Sequence, residues 1–306
     1  MPGPGKPTPQ GVSASLDAIS QAKGSILLRT ADGWSYLEAG PDGARLTANG
    51  PGQLPGWGAS IYSPQTLALL AAMDVKPSTA RKGHINTLIA SLIATEAWNK
   101  ADVIYVLAAH DEQAARLNWK DPAVRTITAV NAPTFTVDRG FTGNGTSQQL
   151  LPGVDLDQLG GYSRDDAHLA VWSLTAGSLT SAECGCSVAT YAHIISQYVN
   201  GQSYGRLNGP NYTIVASAAG DGFHLMNRVG QYDLRHYRNN VQVAFNGQTS
   251  AAIPANCALE YLSDTGDALY CARQLAAASA GRAFTSDERA ALYAALTVYL
   301  NELGAI

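Results

Sequence analysis

The chain's densest group of side chains that could contact a ligand lies between Phe223 and Arg238, in the stretch FHLMNRVGQYDLRHYR. Aromatic rings can stack on sugar rings while a few arginine or histidine donors hold hydroxyl or acidic groups, so that apolar walls combine with sparse polar contacts. The stretch therefore predicts a glycan-binding surface. The candidate residues are Tyr204, His224, Arg228, Tyr232, Arg235, His236, Tyr237 and Arg238, with Tyr212 as a weaker candidate.

The same stretch also fits an ordinary hairpin. In an antiparallel sheet one face of each strand packs on the core and the other face meets solvent, which produces the same alternation of apolar and polar residues. In that interpretation, which is the commoner one for such a pattern, the histidines and arginines serve the fold.

Two patterns raise the question of catalysis. Residues 201–205 match G-x-S-x-G, but a nucleophile elbow at Ser203 needs a helix after the serine, and Arg206-Leu207-Asn208-Gly209-Pro210 cannot continue as one. Glycoside hydrolysis needs two carboxylates placed across a cleft. Between residues 121 and 282 only Glu183 and Glu260 are glutamates, and no E-x-D-x-E trio occurs. We therefore expect a protein that is not an enzyme.

Metal ligands are sparse. Asp155 with Asp157, and Asp165 with Asp166, lie in predicted loops where they could bind calcium, although capping and solvated turns explain such residues more often. The six histidines show neither H-E-x-x-H nor any pair at metal-ligand spacing. We predict no metal and no cofactor.

The four cysteines leave alternatives open. Cys184 and Cys186 lack the usual C-x₂₋₄-C zinc spacing, and Cys257 could pair with Cys271 if their strands were neighbours. Buried free thiols are the preferred interpretation for a chain made in a cytosol.

The amino-acid composition argues against some classes of binding partner. Only 14% of the 306 residues are charged, against about 25% in typical soluble domains. The net charge is -4 and no run of Lys or Arg exceeds two residues, so the chain lacks the basic footprint of a nucleic-acid or membrane-surface protein. The opening MPGPGKPTPQ has no apolar core and does not predict a signal peptide.

Alternating and β-branched segments, separated by Asn-Gly and Asp-Gly turn signals, dominate the chain from residue 123 to 275. This spacing leaves no room for crossover helices, so it predicts a mainly β fold, an antiparallel jelly-roll sandwich. The predicted strands are Val124–Val130, Thr134–Val137, His168–Leu174, Val188–Val199, Tyr212–Ala216, His224–Val229, Gln242–Phe245 and Ala258–Leu262.

Three helices are predicted to flank the sandwich: Ser63–Met73, Ser78 to about Trp98, and Phe284–Leu303. Ser63 suits an N-cap before Pro64, a capping box is expected from Thr285 to Glu288, and Gly304 suits the C′ position. Two apolar stripes should pack on the sandwich. They comprise Ile85, Leu88, Ile89, Leu92 and Ile93, and Leu292, Leu296, Tyr299, Leu300 and Leu303.

Residues 24–58 form a glycine-punctuated segment with three strand-like pieces, Ser25–Arg29, Trp34–Leu37 and Ala44–Thr47. Its spacing, G-x-I-L-x-R-x-x-x-G-W-x-x-L-x-x-G and then L-x-x-N-G-x-G-x-x-P-x-W, resembles a module of tail-fibre, head-fibre and receptor-binding proteins of tailed bacteriophages. The resemblance implies a virion-attachment segment, trimeric in many of those proteins. The implied attachment residues are Trp34, Leu37, Asn49 and Trp57.

From residue 78 onward the chain resembles a phage-associated concanavalin-A-like (laminin-G-like) sandwich. The matching pieces are PSTARKGHINTLIASL with Trp98, the strand at 104–109, Leu117-Asn118-Trp119, the run TFTVDRG with Gly143-Asn144-Gly145, and ALYAALTVYLNELGA. The resemblance implies a carbohydrate-facing or structural module and offers no catalytic motif.

The expected organisation is an arm (1–23), a β attachment module (24–58), a helical or mixed connector (59–120), a β-sandwich (121–283) and a C-terminal helix (284–306). We expect a virion structural protein, made in the bacterial cytoplasm and placed on the virion surface as a homotrimer. Its expected partners are other virion proteins and a bacterial surface glycan. The alternatives are an architectural decoration without a ligand and, third, a polysaccharide depolymerase or esterase.

Overall fold

The structure is a computed structural model that describes residues 25–30, 33–49, 53–177, 182–188, 192–195, 200–215, 220–253 and 255–306. The predicted arm, residues 1–23, lies outside the described residues. The chain divides into two compact units, Met1–Ser63 and Pro64–Ile306. No helix of the described part is both long and apolar enough to cross a membrane.

The described residues of the first unit form two antiparallel hairpins. Strand β1 (Ile26–Thr30) pairs with β2 (Gly33–Leu37), and β3 (Ala44–Thr47) pairs with β4 (Gly56–Ser60). The three predicted strand-like pieces are confirmed, while β4 was not predicted because its sequence, GWGAS, contains two glycines and little β-branching.

A tryptophan–glycine contact fixes the second hairpin. The Trp57 indole nitrogen donates to the Glu38 carbonyl at 2.7 Å. A Cβ on Gly40 would overlap the Trp57 ring, so this position needs glycine for a close approach rather than for its backbone angles. Asn49 closes the loop between β3 and β4 by donating to the Leu54 carbonyl at 2.8 Å.

The second unit is built mainly from antiparallel strands. In chain order they are β5 (Ala101–Val106), β6 (Thr128–Val130), β7 (Thr134–Thr136), β8 (Gly140–Thr142), β9 (Gln149–Leu151), β10 (Ala167–Ser173), β11 (Cys184–Cys186), β12 (His193–Ile195), β13 (Ser203–Arg206), β14 (Thr213–Val215), β15 (Gly222–Gly230), β16 (Asp233–Arg238), β17 (Val241–Asn246), β18 (Leu259–Tyr261), β19 (Ser263–Asp264), β20 (Leu269–Tyr270) and β21 (Gln274–Gly281). Short 3₁₀ turns lie at Leu156–Gln158 and Thr265–Asp267.

These strands form two large sheets and one small hairpin, β19–β20. The eight-stranded sheet has the order β17-β16-β15-β10-β21-β8-β7, with β5 also paired to β21. The seven-stranded sheet has the order β14-β13-β12-β11-β18-β9-β6. Strand β5, in the stretch expected as a helical or mixed connector with a strand at 104–109, therefore belongs to the larger sheet, where it pairs with β21.

The two sheets face each other. Tyr105 of β5 meets Tyr261 of β18 edge-on, with ring centroids 5.8 Å apart. Met226 of β15 packs so closely on Gly205 of β13 that a Cβ there would overlap its sulfur. The mainly β, antiparallel sandwich predicted from the sequence is confirmed.

In the part of the chain that the structure describes, five helices accompany the sheets: α1 (Pro64–Ala72), α2 (Thr79–Ala94), α3 (Ala97–Lys100), α4 (Glu112–Arg116) and α5 (Ser286–Glu302). The Thr285–Glu288 capping box is formed, and Gly304 takes the expected left-handed φ of 66°. The second predicted helix is shorter than expected: it ends at Ala94, because Glu96 adopts a left-handed φ of 62° and separates Trp98 into α3.

Helices α2 and α5 cover the outer face of the eight-stranded sheet. Trp172 of β10 stacks on Tyr293 of α5 with centroids 5.7 Å apart and an interplanar angle of 6°. Trp119 meets Tyr299 edge-on at 5.8 Å. The central strands of this sheet are consequently buried on both faces, and every residue of β10 is buried.

Three histidines lie in this buried region. His168 is hydrogen-bonded to the Arg282 carbonyl at 2.6 Å and to Ser279 Oγ at 2.9 Å. The His224 and His236 rings lie 5.8 Å apart and are both 0% exposed. Burial lowers the pKa of His168 and of His236 to about 4, and burial followed by the neighbouring His236 lowers the pKa of His224 well below its usual value.

Gly140 provides a test of the sheet geometry. Its φ is +96°, and a Cβ there would overlap the backbone carbonyl of Leu275 where β8 pairs with β21. We expect Gly140→Ala to lower the free energy of unfolding by roughly 3 kcal/mol in urea denaturation. Gly83→Ala, in the middle of α2 with nothing within 4 Å of its Cβ, should instead raise it by about 1 kcal/mol. Equal losses of unfolding free energy in the two variants would contradict the close approach of Gly140 to Leu275.

The buried histidines predict acid sensitivity. A histidine whose pKa is lower in the folded protein than its unfolded value of about 6.5 favours the folded state above pH 6.5, where it is neutral. This contribution is lost as the pH falls toward 4, because the unfolded chain then binds a proton that the folded protein does not. For His236 the whole contribution is roughly 3 kcal/mol. Urea denaturation at pH 7.5, 5.5 and 4.5 should show a smaller pH dependence for His236→Leu than for wild type. A pH dependence for His236→Leu as steep as that of wild type would refute the assignment.

Candidate functional site

The alternation of the β15–β16 hairpin divides the predicted glycan-binding residues between two faces, because successive side chains of a strand point in opposite directions. His224 and His236 lie in the sandwich interior. Arg235 and Tyr237 lie on the side that faces α5. The predicted set is therefore not brought together as one surface.

Two arginines of the hairpin, Arg228 and Arg238, donate hydrogen bonds to backbone carbonyls. Arg228, 3% exposed, donates from Nε to the Leu207 carbonyl at 2.9 Å and from Nη1 to the Gln231 carbonyl at 3.1 Å. Arg238 donates to the Asp221 carbonyl at 3.0 Å from Nη2. In this arrangement both guanidinium groups support the hairpin and its neighbouring loops.

The remaining predicted residues lie elsewhere. Tyr232 is 58% exposed in the turn between β15 and β16. Tyr204 belongs to the other sheet, where its ring meets Tyr212 edge-on at 5.8 Å and its hydroxyl is hydrogen-bonded to Gln202. The Arg206 guanidinium lies 4.8 Å from the Tyr212 ring, so these tyrosines form a separate cluster around a buried arginine.

An open pocket of about 410 Å³ lies where β15, β16 and β17 meet the start of α5. We call it the edge pocket. Its lining residues are Asn227, Val229, Arg235, Tyr237, Gln242, Phe284, Thr285, Ser286 and Arg289. It contains two of the predicted residues, Arg235 and Tyr237, and combines aromatic rings with a majority of side chains that can form hydrogen bonds.

The walls of the edge pocket are held by local contacts. Arg235 binds both carboxylate oxygens of Asp233 at 2.7 Å, and these bonds, followed by one to Tyr237, raise its pKa. Asn227 donates to the Phe284 carbonyl at 2.9 Å and accepts from the Phe284 nitrogen at 2.8 Å. These pairs join the hairpin to the segment that leads into α5.

Arg289 crosses from α5 to the hairpin. Its guanidinium lies 3.9 Å from the Tyr237 ring centroid, and its Nε donates to Asn240 Oδ1 at 2.7 Å. Asn239 and Asn240 have φ values of 48° and 65°, the positive angles that a type I′ turn requires. The Asn239–Asn240 turn thus presents the acceptor that orients Arg289.

Sequence reasoning did not identify Arg289, Asn227, Gln242, Thr285 or Ser286 as site residues. Arg289 lies in a helix that the sequence analysis treated as a packing element. The one usable signal is the capping box, which places Ser286 and Arg289 in the first turn of α5. Nothing local indicates which strand that turn faces.

A second cavity, of about 460 Å³, lies between α2 and α5. Small residues such as Gly83, Ser91 and Ala294 form much of its wall, and His84 approaches Glu302 at 3.7 Å at one end. This groove is mostly apolar and offers few convergent hydrogen-bonding groups, so it suits a polar ligand less well than the edge pocket does.

The two glutamates considered for catalysis are both tied to the fold. Glu183 forms an ion pair with Arg273 at 2.6 Å, and both side chains are 0% exposed. Glu260 accepts from Ser263 Oγ at 3.0 Å and from the Thr265 nitrogen at 2.8 Å. A buried pair of this kind is costly to break from one side, because the remaining charge loses its partner.

The serine and aspartate residues considered for catalysis or calcium binding also have roles in local structure. Ser203 begins strand β13, is 1% exposed and is followed by further strand residues, so no nucleophile elbow is formed. Asp166 accepts from Arg282 Nε at 2.9 Å and from the Ala283 nitrogen at 2.7 Å. Asp165 accepts from Ser250 Oγ. Among the described residues, no group of three or more His, Cys, Asp or Glu side chains could hold a metal ion.

All four cysteines are buried free thiols, as the preferred interpretation expected. The Cys257–Cys271 pairing left open by the sequence is not formed. Cys257 is instead hydrogen-bonded to Cys186, across the antiparallel pair of β11 and the segment leading into β18.

The implied attachment residues of the first unit lie in its hairpins. Trp57 and Asn49 make the contacts described above, and Leu37 pairs with Ile26 across β1 and β2. Trp34 belongs to β2, but its side chain lies outside the described part of the chain. Attachment through these residues stays a prediction.

Comparison with known proteins identifies no family: no family model and no curated protein matches this chain. Solved structures with partial similarity include a sialidase of Trypanosoma rangeli (12% identity, TM-score 0.43, 70% of this chain and 40% of the sialidase). Domain 4 of a GH43 extracellular arabinanase from Geobacillus stearothermophilus matches at 11% identity and TM-score 0.38, over 63% of this chain and 98% of that domain. The binding domain of Paraclostridial Mosquitocidal Protein 1 matches at 9% identity and TM-score 0.39, over 64% and 52%.

This chain thus spans less than half of the sialidase. None of the three proteins is described as a virion component, so the resemblance to phage proteins rests on sequence motifs alone.

Proposed function

We propose that this protein binds a glycan in the edge pocket and that it does so as a structural protein on the surface of a tailed phage or phage-like particle. The observation that carries the binding proposal is the pocket itself, an open cavity whose wall combines the Tyr237 and Phe284 rings with six hydrogen-bonding side chains.

Size and chemistry support this role. A volume of about 410 Å³ falls within the range of roughly 300–1,000 Å³ found for small-molecule sites. Gln242 and Ser286 can exchange hydrogen bonds with sugar hydroxyls, and the contacts that fix Asn227 and Arg235 keep the wall in shape without a ligand. A preorganised wall lowers the entropy lost on binding.

The virion role is supported by the glycine-punctuated segment of residues 24–58 and its resemblance to phage fibre modules. In this proposal the segment attaches the chain to other virion proteins, and homotrimerisation multiplies a weak glycan site into useful avidity. The glycan partner is a component of the bacterial cell surface.

We further propose that the protein binds without cleaving its ligand. The engagement of Glu183 by Arg273 and the strand position of Ser203 support this part of the proposal. Incubation of the full chain with any polysaccharide that it binds should leave the chain length unchanged; shortened products would contradict it.

The pocket assignment is tested by a pair of alanine variants. Gln242→Ala should weaken binding to the best glycan of an array about fivefold, because a hydrogen bond contributes about 1 kcal/mol. Tyr232→Ala, at the exposed turn of the same hairpin but outside the pocket, should bind like wild type. Isothermal titration calorimetry measures both. Loss of binding in Tyr232→Ala alone would move the site to the hairpin turn, and a full chain that binds no glycan would overturn the proposal.

The attachment role has its own test. A chain lacking residues 1–58 should fail to copurify with particles, yet it should retain the glycan affinity of the full chain because the second unit has its own core. Immunogold electron microscopy of particles from cells that produce each form shows where the chain is. Particles labelled equally with both forms would show that residues 1–58 are not the attachment segment.

A further inference from the structure

The edge pocket contains a guanidinium that is held in place but has no anionic partner, and we infer that the pocket selects a glycan carrying a carboxylate, such as a uronic acid. The inference rests on the proposed glycan-binding function and names the class of sugar that the site takes.

Two contacts fix the Arg289 guanidinium. The Tyr237 ring lies 3.9 Å from it, and Asn240 Oδ1 accepts its Nε at 2.7 Å. No hydrogen bond or ion pair joins its two terminal nitrogens to a described residue. An arginine has five N–H donors in a planar fork, so the terminal edge of this group keeps its donors available to a ligand.

The neighbouring carboxylates are already engaged. Asp233 forms two hydrogen bonds with Arg235. Glu288 accepts from the Thr285 nitrogen within the capping box and lies 3.8 Å from Lys100. Asp287, the other acid of the first turn of α5, is not among the residues that line the pocket. Arg289 therefore contributes a positive charge to the pocket that no lining residue neutralises.

The planar arrangement of donors in the Arg289 guanidinium favours a carboxylate as the ligand group. A guanidinium binds a carboxylate through two parallel N–H···O bonds, which are stronger than bonds between neutral groups. The stacked Tyr237 ring and the bond to Asn240 hold the fork in one orientation, so little further side-chain entropy is lost on binding. Gln242 remains beside the guanidinium for the sugar hydroxyls, and the Ser286 hydroxyl, which donates to Asp287 at 3.2 Å, can still accept a hydrogen bond from one of them.

The experiment uses the full chain on an array of matched glycan pairs, each an acidic glycan and its carboxyl-reduced neutral form, followed by calorimetry on the best pair. The acidic member should bind at least tenfold more tightly. Arg289→Gln should abolish this preference, so that the acidic and neutral members bind with affinities within about twofold of each other. Arg289→Lys, which keeps the charge but not the fork, should retain only part of it.

Arg45→Gln is the control, since it removes one exposed positive charge from the first unit and should retain the full preference. Thermal unfolding followed by circular dichroism verifies that each variant is folded. If both members of each pair bind wild type equally, or if only neutral or sulfated glycans bind, the inference fails while the proposed function stands. A preference that survives Arg289→Gln also overturns the inference. If no glycan binds at all, the proposed function fails and the inference fails with it.

Discussion

The eight-stranded sheet must bury both of its faces, one against the second sheet and the other against helices α2 and α5. Tyr105 meets Tyr261 on the inner side, and Trp172 stacks on Tyr293 on the outer side. A polar group in such a layer has no access to water, so it must find a partner or stay neutral. His168 is bonded on both ring nitrogens, and Arg273 faces Glu183 at 2.6 Å.

The helix cover ends at the hairpin edge, and the edge pocket lies there. The β15–β17 strands continue past the start of α5, so their outward side chains, Arg235, Tyr237 and Gln242, meet the first helical turn instead of a continuous layer. The capping box stabilises that turn, and the Asn239–Asn240 turn supplies the acceptor for Arg289. Elements that are needed for the fold thus also shape the proposed binding site.

The same burial engages the two glutamates considered for catalysis in local contacts. Glu183 pairs with Arg273, and Glu260 accepts from Ser263 and Thr265. In the first unit, Gly40 lies in close contact with the Trp57 ring. A glycine of the segment that resembles a phage module therefore also permits close packing.

Much of the fold could be predicted from the sequence, because caps, turns and alternation are local. Ser78, the Thr285–Glu288 capping box and the strand that follows the Asn239–Asn240 turn all lie where the sequence placed them. Strand β21 was missed, since its alanine-rich sequence favours a helix and only burial between two layers makes it a central strand. The site depended on tertiary structure for the same reason. Alternation along a strand decides which neighbours share a face, but long-range packing decides what each face meets, and so His236 was buried while Tyr237 met Arg289.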